Sequence, residues 1–273
     1  PMLDVWGSLL NVISQQLPIL LLGVYFSQAT VGHFSLATRL IYLPMTFIGA
    51  AISQVFFQRA ADMHSRAEDL KELVEDVFRR LSRLTLLPAL LLTVIGKEAF
   101  VLVFGQGWTE AGGYVEILGI WMFVWFVSGP LTVLFIVVQR LELAFLMHVL
   151  LLVSRVAPLA IGGAYGDVDF ALKLYAASGV VVYGWVAIWA MAQVGVSWRS
   201  PLAFLGRLAL RAAPVALAVL LLDTWTTAPD GCVVLVATLG FLEHAWYVLR
   251  NDAGLSPVLE FVGRFRKRGS RPL

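Results

Sequence analysis

The sequence predicts an all-α integral membrane protein, and three observations carry this prediction. Apolar residues make up 59% of the 273-residue chain and charged residues only 14%, whereas soluble domains have about 25% charged residues. The mean hydropathy is +0.82. Continuous apolar windows recur along the chain at the length of about 20 residues that a helix needs to cross a bilayer. Barrel strands would instead give short alternating segments.

Eight candidate spans follow from these windows, and prolines or polar residues interrupt several of them. Pro44 lies within the second span, Gly96-Lys97-Glu98 ends the third, and Gly129-Pro130 interrupts the fourth. A proline removes one helical hydrogen bond, so kinks or hinges are expected at Pro44 and Pro130. The spans cover residues 5–26, 32–57, 77–95, 114–138, 141–161, 170–194, 208–222 and 232–249.

Residues 62–83 predict an amphipathic helix. Apolar residues recur there at helical spacing on one face. Glu75–Arg79 and Asp76–Arg80 are spaced as ion pairs one turn apart. Such a helix lies on the membrane surface or leads into the next span.

The basic residues sort strongly to one side of the eight spans. Sixteen of the 20 lysines and arginines fall on the side that holds both chain ends, which the positive-inside rule places in the cytoplasm. The tail at 250–273 is basic and is expected to bind anionic lipid head groups rather than nucleic acid. The sixteen are Arg59, Arg66, Lys71, Arg79, Arg80, Arg83, Arg140, Arg199, Arg207, Arg211, Arg250, Arg264, Arg266, Lys267, Arg268 and Arg271.

Several classes of site find no support in the sequence. Cys232 is the single cysteine, which excludes an internal disulfide and a cysteine metal cluster. His148 and His244 stand alone on apolar faces and are interpreted as structural, since neither has a second ligand at metal spacing. Paired catalytic carboxylates, a phosphate-cradling Gly-Lys loop and a nucleophile elbow are all lacking. No cofactor, no metal and no catalytic residue is therefore expected.

Two extended stretches resemble the oligosaccharide flippase, or polysaccharide transporter, branch of the multidrug/oligosaccharidyl-lipid/polysaccharide exporter superfamily. The first is FSQATVGHFSLATRLIYLPMTFIGAAISQVFFQRAA and the second is VFGQGWTEAGGYVEILGIWMFVWFVSGPLTVLFIVVQR. The similarity covers roughly the first 165 residues. It implies two lobes around a central cavity, which move a lipid-diphosphate-linked oligosaccharide to the outer leaflet of the bacterial inner membrane by alternating access.

The resemblance also implies how the chain is divided. Residues 1–195 correspond to the C-terminal lobe with six spans, residues 196–249 to two accessory spans, and residues 250–273 to a cytoplasmic tail. An N-terminal lobe of about six spans is then expected before Pro1 in a longer protein. The partners are membrane lipid and the lipid-linked oligosaccharide.

Polar residues inside the spans are the candidates for substrate contact in such a cavity. Arg39 is the leading one, because a guanidinium pairs bidentately with phosphate oxygens and is costly in lipid. Arg155, expected near the periplasmic end of the fifth span, either contacts substrate or pairs with Glu116, itself a candidate for ion coupling. Asn11, Gln15, Gln16 and Gln54 either hydrogen-bond sugar hydroxyls or link helices within the lobe. Asn11 and Gln15 share a helix face, whereas Gln16 lies about 100° away.

Three other functions compete with the flippase. An ion-coupled exporter of small molecules would share the superfamily's fold. A membrane-embedded glycosyl ligase or transferase would need a sizeable extramembrane loop, whereas the outer loops here are short. A membrane assembly module without transport activity is the third.

Overall fold

The helices follow one another along the chain with short connections. The computed structural model describes residues 2–225 and 230–251, and within these ranges it contains α-helices and short 3₁₀ and π segments, which confirms the predicted fold class. The α-helices are α1 Met2–Tyr25, α2 Gln28–Pro44, α3 Ala50–Ser65, α4 Lys71–Phe104, α5 Thr109–Ser128, α6 Leu134–Val137, α7 Leu141–Tyr165, α8 Val168–Gln193, α9 Arg199–Trp225 and α10 Asp230–Asn251.

Seven helical segments in the described ranges are long and apolar enough to cross a membrane. The predicted first span corresponds to α1, whose apolar portion, Leu9–Tyr25, is shorter. The seven are Gln28–Ser65, Lys71–Phe104, Gln106–Val137, Leu141–Tyr165, Val168–Gln193, Arg199–Leu222 and Gly231–Val248.

Both prolines expected at kinks lie where a helix changes its form. α2 ends at Pro44, and a π-helical turn, Met45–Gly49, connects it to α3. α5 ends at Ser128, and the 3₁₀ turn Pro130–Val133 leads into α6. Whether either position acts as a hinge stays a prediction.

The predicted amphipathic helix at 62–83 is wrong in its continuity. Asp62 to Ser65 form the last turn of α3, a short connection follows, and Lys71 begins α4, which continues into the membrane. The two predicted ion pairs are confirmed on this first part of α4: Arg79 lies 2.7 Å from Glu75 and Arg80 lies 2.7 Å from Asp76.

The break expected at Gly96-Lys97-Glu98 is found as a kink one residue earlier, at Ile95. α4 continues to Phe104, and only Ile95 departs from helical geometry, with φ −120° and ψ 25°. Glu116 on α5 binds beside this kink: one carboxylate oxygen accepts the backbone N–H of Lys97 at 3.0 Å and the other lies 3.2 Å from its ammonium. The kink therefore divides α4 into two helical parts close to the predicted position.

The centre of the bundle is α5, which is apolar on every face and packs on α2, α4 and α8. Glycines bring α4 and α5 close together. A Cβ placed on Gly112 would lie 2.6 Å from both the carbonyl oxygen of Gly96 and the Cα of Lys97. Small residues at such crossings allow helix backbones to approach within a membrane.

The last two helices pack against α4, outside the rest of the bundle. Leu87, Leu91 and Ile95 of α4 form an apolar cluster with residues of α9 and α10. Gly240 of α10 meets Val215 of α9 directly. α9 begins at Arg199, earlier than the predicted span at 208–222. The helix therefore contains Arg207 as well as Arg211.

Candidate functional site

A cavity of about 330 Å³ opens among five helices and is the best candidate for a site. This volume lies within the range of about 300–1,000 Å³ that is common for ligand sites. α1, α2, α5, α7 and α8 line it, together with the connection that follows α5. The lining residues are Asn11, Gln15, Tyr42, Trp121, Trp125, Gly129, Thr132, Met147, His148, Leu151, Arg155 and Tyr183.

Helical periodicity explains how each helix presents its residues to this cavity. Asn11 and Gln15 lie one turn apart on α1 and both line it, whereas Gln16 does not. This is the arrangement that their spacing predicts. Trp121 and Trp125 have the same spacing on α5. On α7, Arg155 lies one turn beyond Leu151, and both line the cavity.

Arg155 is the charged residue among the described lining. Its side chain is only 8% exposed. Its guanidinium donates a hydrogen bond to the hydroxyl of Ser14 on α1, which is fully buried. It forms no ion pair with any residue in the described ranges. Glu116, its expected alternative partner, binds Lys97 instead. A buried cation without a counter-ion is costly, so this position favours an anion.

Arg155 lies well inside α7 rather than in its last turn. It is ten residues before Tyr165, the end of α7, which corresponds to about 15 Å of helix. Its position near the periplasmic end of the span stays a prediction.

Aromatic side chains form one wall of the cavity. The rings of Trp121 and Trp125 stack with centroids 5.6 Å apart and planes 4° apart. Tyr42 meets Trp125 edge to face at 4.9 Å. Trp121 is only 3% exposed, so the half-buried rings of Trp125 and Tyr42 are the apolar surface of this wall that a ligand can reach. The amides of Asn11 and Gln15, which also line the cavity, offer hydrogen-bond donors and acceptors. Together they suit a ligand that carries both ring faces and hydroxyl groups.

The remaining predicted site residues lie outside this cavity lining. Arg39 is exposed on α2 and forms no hydrogen bond or ion pair with any described residue. Gln16 and Gln54 are also exposed. Glu116 binds Lys97 at the α4–α5 contact. The structure thus brings Asn11, Gln15 and Arg155 together and leaves the other four apart.

The two histidines have different surroundings. His148 lines the cavity where α1 passes close to α7, since a Cβ on Gly7 would lie 2.8 Å from its Nδ1. His244 Nε2 donates to the backbone carbonyl of Arg83 at 2.7 Å and so links α10 to α4. Within the described ranges no group of three or more His, Cys, Asp or Glu residues is arranged to hold a metal ion.

Sequence reasoning missed the aromatic wall, because tryptophan and tyrosine counted as apolar members of spans. The spacing of Trp121 and Trp125 was an available signal, since residues four apart share a helix face. It missed the contact between Arg155 and Ser14 for a different reason. These residues are 141 positions apart, and no pattern within one helix reports which helices become neighbours.

Comparison with known proteins gives a consistent result. Residues 3–112 match the family model described as polysaccharide biosynthesis protein. The fold is similar to that of the lipid II flippase MurJ in its inward closed conformation, with a TM-score of 0.68 and 10% sequence identity. The match covers 90% of this chain and 52% of that protein, so the chain spans about half the length of the flippase. No individual curated protein sequence matches the chain.

At 10% identity the structural similarity shows the fold alone. The family match is independent of it and covers α1, α2, α3, α4 and the start of α5, which include most of the first stretch that suggested a flippase. Both comparisons agree with the predicted resemblance: this is a multi-pass membrane chain whose fold is similar to that of a flippase and whose residues 3–112 match a polysaccharide biosynthesis family model.

Proposed function

We propose that this chain is the C-terminal lobe of a bacterial inner-membrane flippase for a lipid-diphosphate-linked oligosaccharide of surface polysaccharide synthesis. The match of residues 3–112 to a polysaccharide biosynthesis family model supports a role in polysaccharide synthesis. The similarity of the fold to that of a lipid II flippase supports transport of a lipid-linked substrate. In this proposal the protein moves its substrate without making or breaking a covalent bond. Both chain ends lie in the cytoplasm, as the distribution of basic residues predicts.

The observation that carries the proposal is the cavity with Arg155. A flippase has to hold a charged diphosphate and a polar glycan away from hydrocarbon. A buried guanidinium that forms no ion pair with a described residue supplies donors for phosphate oxygens in a fixed fork geometry. Asn11 and Gln15 supply hydrogen bonds for sugar hydroxyls, and the half-buried rings of Trp125 and Tyr42 supply apolar surface against which sugar rings pack.

A second lobe completes the proposed transporter. Arg39, Gln16 and Gln54 are polar, exposed and located on the first three helices of this chain. A charged side chain facing lipid at the centre of a helix costs about 2.5–3.5 kcal/mol or more. We therefore assign these residues to the wall that faces the other lobe across a shared aqueous cavity, where Arg39 serves as a second phosphate contact.

The test is the substitution Arg155→Ala in the full-length protein. Surface polysaccharide should fall at least tenfold at unchanged membrane levels of the protein, because a hydrogen bond to a charged group is worth about 1.5–3 kcal/mol. Arg155→Lys should restore export only in part, since lysine keeps the charge and loses the fork geometry. Surface polysaccharide and membrane protein level are both measured by immunoblot.

Ser14→Ala is the matched control, because it removes the contact between α1 and α7 and keeps the cation. Most export should survive in this variant. Equal loss in Ser14→Ala and Arg155→Ala would assign Arg155 to helix packing, and normal export in Arg155→Ala would remove it from the mechanism.

Deleting the gene distinguishes the competing functions. Loss of a flippase leaves the completed lipid-linked oligosaccharide in the inner leaflet, inaccessible to a probe added from outside. A ligase or transferase would leave an incomplete or unattached glycan. Normal polysaccharide together with increased drug sensitivity would favour the exporter of small molecules.

A further inference from the structure

A second cavity, of about 250 Å³, lies between α4, α9 and α10, separate from the one that holds Arg155. We call it the basic pocket. Its volume is about eight times the share of one water molecule in the liquid, about 30 Å³, so a five-atom phosphate group fits inside. Its polar lining consists of Arg79, Arg83, Arg207, Arg211, His244 and Tyr247.

Helical spacing brings the four arginines of the basic pocket together. Arg79 and Arg83 are one turn apart on α4, and Arg207 and Arg211 are one turn apart on α9. No acidic residue is among the described lining. Glu75, which binds Arg79 at 2.7 Å, lies outside that lining. Arg207 and Arg211 form no ion pair with a described residue, so these like charges repel each other and a bound anion would offset their repulsion.

Aromatic contacts fix the guanidinium groups in place around the pocket. Arg79 and Arg83 both lie over the ring of Phe204, at 5.7 and 5.5 Å from its centroid. Arg211 lies 5.9 Å from the ring centroid of Tyr247 and donates to its hydroxyl at 2.8 Å. Groups held in this way lose less conformational entropy when they bind an anion than freely rotating side chains do.

We propose that the basic pocket binds the phosphate of an anionic phospholipid in the cytoplasmic leaflet. The assignment to that leaflet uses the orientation given under the proposed function, whereas the chemistry of the pocket does not depend on the transported substrate. Basic pockets between membrane helices on the cytoplasmic side are suited to anionic head groups.

Exposed apolar side chains favour a lipid over free phosphate as the source of the anion. Leu210 and Leu217 on α9 and Leu242 and Trp246 on α10 are all more than half exposed on the helices that form the pocket. They provide a surface along which acyl chains can lie while the head group occupies the pocket. Free phosphate has no group that would use this surface.

The experiment measures lipid retention by the full-length protein with native mass spectrometry. Delipidated protein in detergent receives either phosphatidylglycerol or phosphatidylcholine. Phosphatidylglycerol should be retained at least tenfold more, and the double variant Arg207→Ala/Arg211→Ala should reduce its retention at least tenfold. The control Lys71→Ala/Arg199→Ala removes the same charge from the same end of the bundle, outside the pocket, and should leave retention unchanged.

Two further arms keep the result specific. Tyr247→Phe removes the hydrogen bond from Arg211 and keeps the cations, so it should retain the lipid if the double variant acts through charge rather than through misfolding. Excess inorganic phosphate should fail to displace the lipid. Equal retention of both lipids, equal loss in both double variants, or displacement by inorganic phosphate would each overturn the assignment.

The inference and the proposed function fail separately. Arg155→Ala should leave phosphatidylglycerol retention unchanged, because Arg155 lines the other cavity. If the protein flips no oligosaccharide and still shows charge-dependent retention at Arg207 and Arg211, the lipid site stands and the proposed transport falls.

Discussion

At the scale of single residues, the two arginines inside the spans illustrate how one residue type takes different roles. Arg155 is buried, contacts Ser14 and lines a cavity. Arg39 is exposed and forms no hydrogen bond or ion pair with any described residue. The sequence places both within apolar windows and ranks Arg39 first, because burial against other helices is not visible in a linear pattern. Only the packing of α1 on α7 reveals that Arg155 is the enclosed one.

The exposed position of Arg39 leads to a test of its surroundings. We expect Arg39→Cys, in a full-length protein whose Cys232 and any other cysteines are replaced by serine, to react with a membrane-impermeant maleimide. A thiol reacts as its thiolate, which forms in water and not in hydrocarbon. Val181→Cys is the control, since Val181 is 70% exposed on α8 among apolar neighbours and should stay unlabelled. Labelling is read by mass shift on a gel.

Either of two outcomes would contradict the aqueous cavity at Arg39. Absence of labelling in a variant that folds normally would place Arg39 against protein or lipid. Equal labelling at Arg39 and Val181 would mean that the reagent reports general access rather than a cavity.

At the scale of elements, hydropathy and proline positions predicted much of the helix order. The interruption at Gly129-Pro130 is present, and so are the ion pairs at the start of α4. The prediction failed at residues 62–83, where α3 ends at Ser65 and α4 begins only at Lys71. The break expected at Gly96-Lys97-Glu98 is found as a kink at Ile95, and Glu116 of α5 binds the backbone N–H and the ammonium of Lys97 beside it.

The crossing of α4 and α5 gives the prediction at this scale. Gly112→Ala should lower the thermal midpoint of the purified protein in detergent, because the new Cβ would lie 2.6 Å from the Gly96 carbonyl oxygen. Overpacking of this kind typically costs about 1–3 kcal/mol. The adjacent substitution Gly113→Ala is the matched control for Gly112→Ala, because both add one methyl group and the same gain in helix propensity. At Gly113 the methyl would meet only the flexible Cε of Lys97, at 3.1 Å.

Gly113→Ala should therefore leave the midpoint nearly unchanged. A similar loss in both variants would show that an added methyl destabilises the protein at either position. In that case the close approach at Gly96 and Gly112 would not be what holds α4 on α5.

At the scale of the whole molecule, the two cavities lie among different sets of helices. The cavity with Arg155 lies among α1, α2, α5, α7 and α8, whereas the basic pocket lies among α4, α9 and α10. α4 contacts both groups, because it packs on α5 on one side and on the last two helices on the other. Composition predicted the spans and the charge bias, but which helices enclose a cavity follows from packing that no single window contains.

The charge bias yields the last prediction, which concerns orientation. The connection between α3 and α4 and the connection between α4 and α5 lie at opposite ends of α4, a helix of 34 residues that is long enough to cross the membrane. The positive-inside rule assigns the first to the cytoplasm and the second to the periplasm. In a full-length protein whose Cys232 and any other cysteines are replaced by serine, Gly107→Cys should react with an impermeant maleimide in intact cells, and Glu68→Cys should react only after permeabilisation. Both positions are exposed, and a Cβ on Gly107 meets no other atom within 4 Å, so each substitution leaves the packing unchanged.

The reverse labelling pattern would invert the whole chain and place the basic pocket in the periplasmic leaflet. Labelling of both positions in intact cells would mean that α4 does not span the membrane, which would overturn the eight-span arrangement itself.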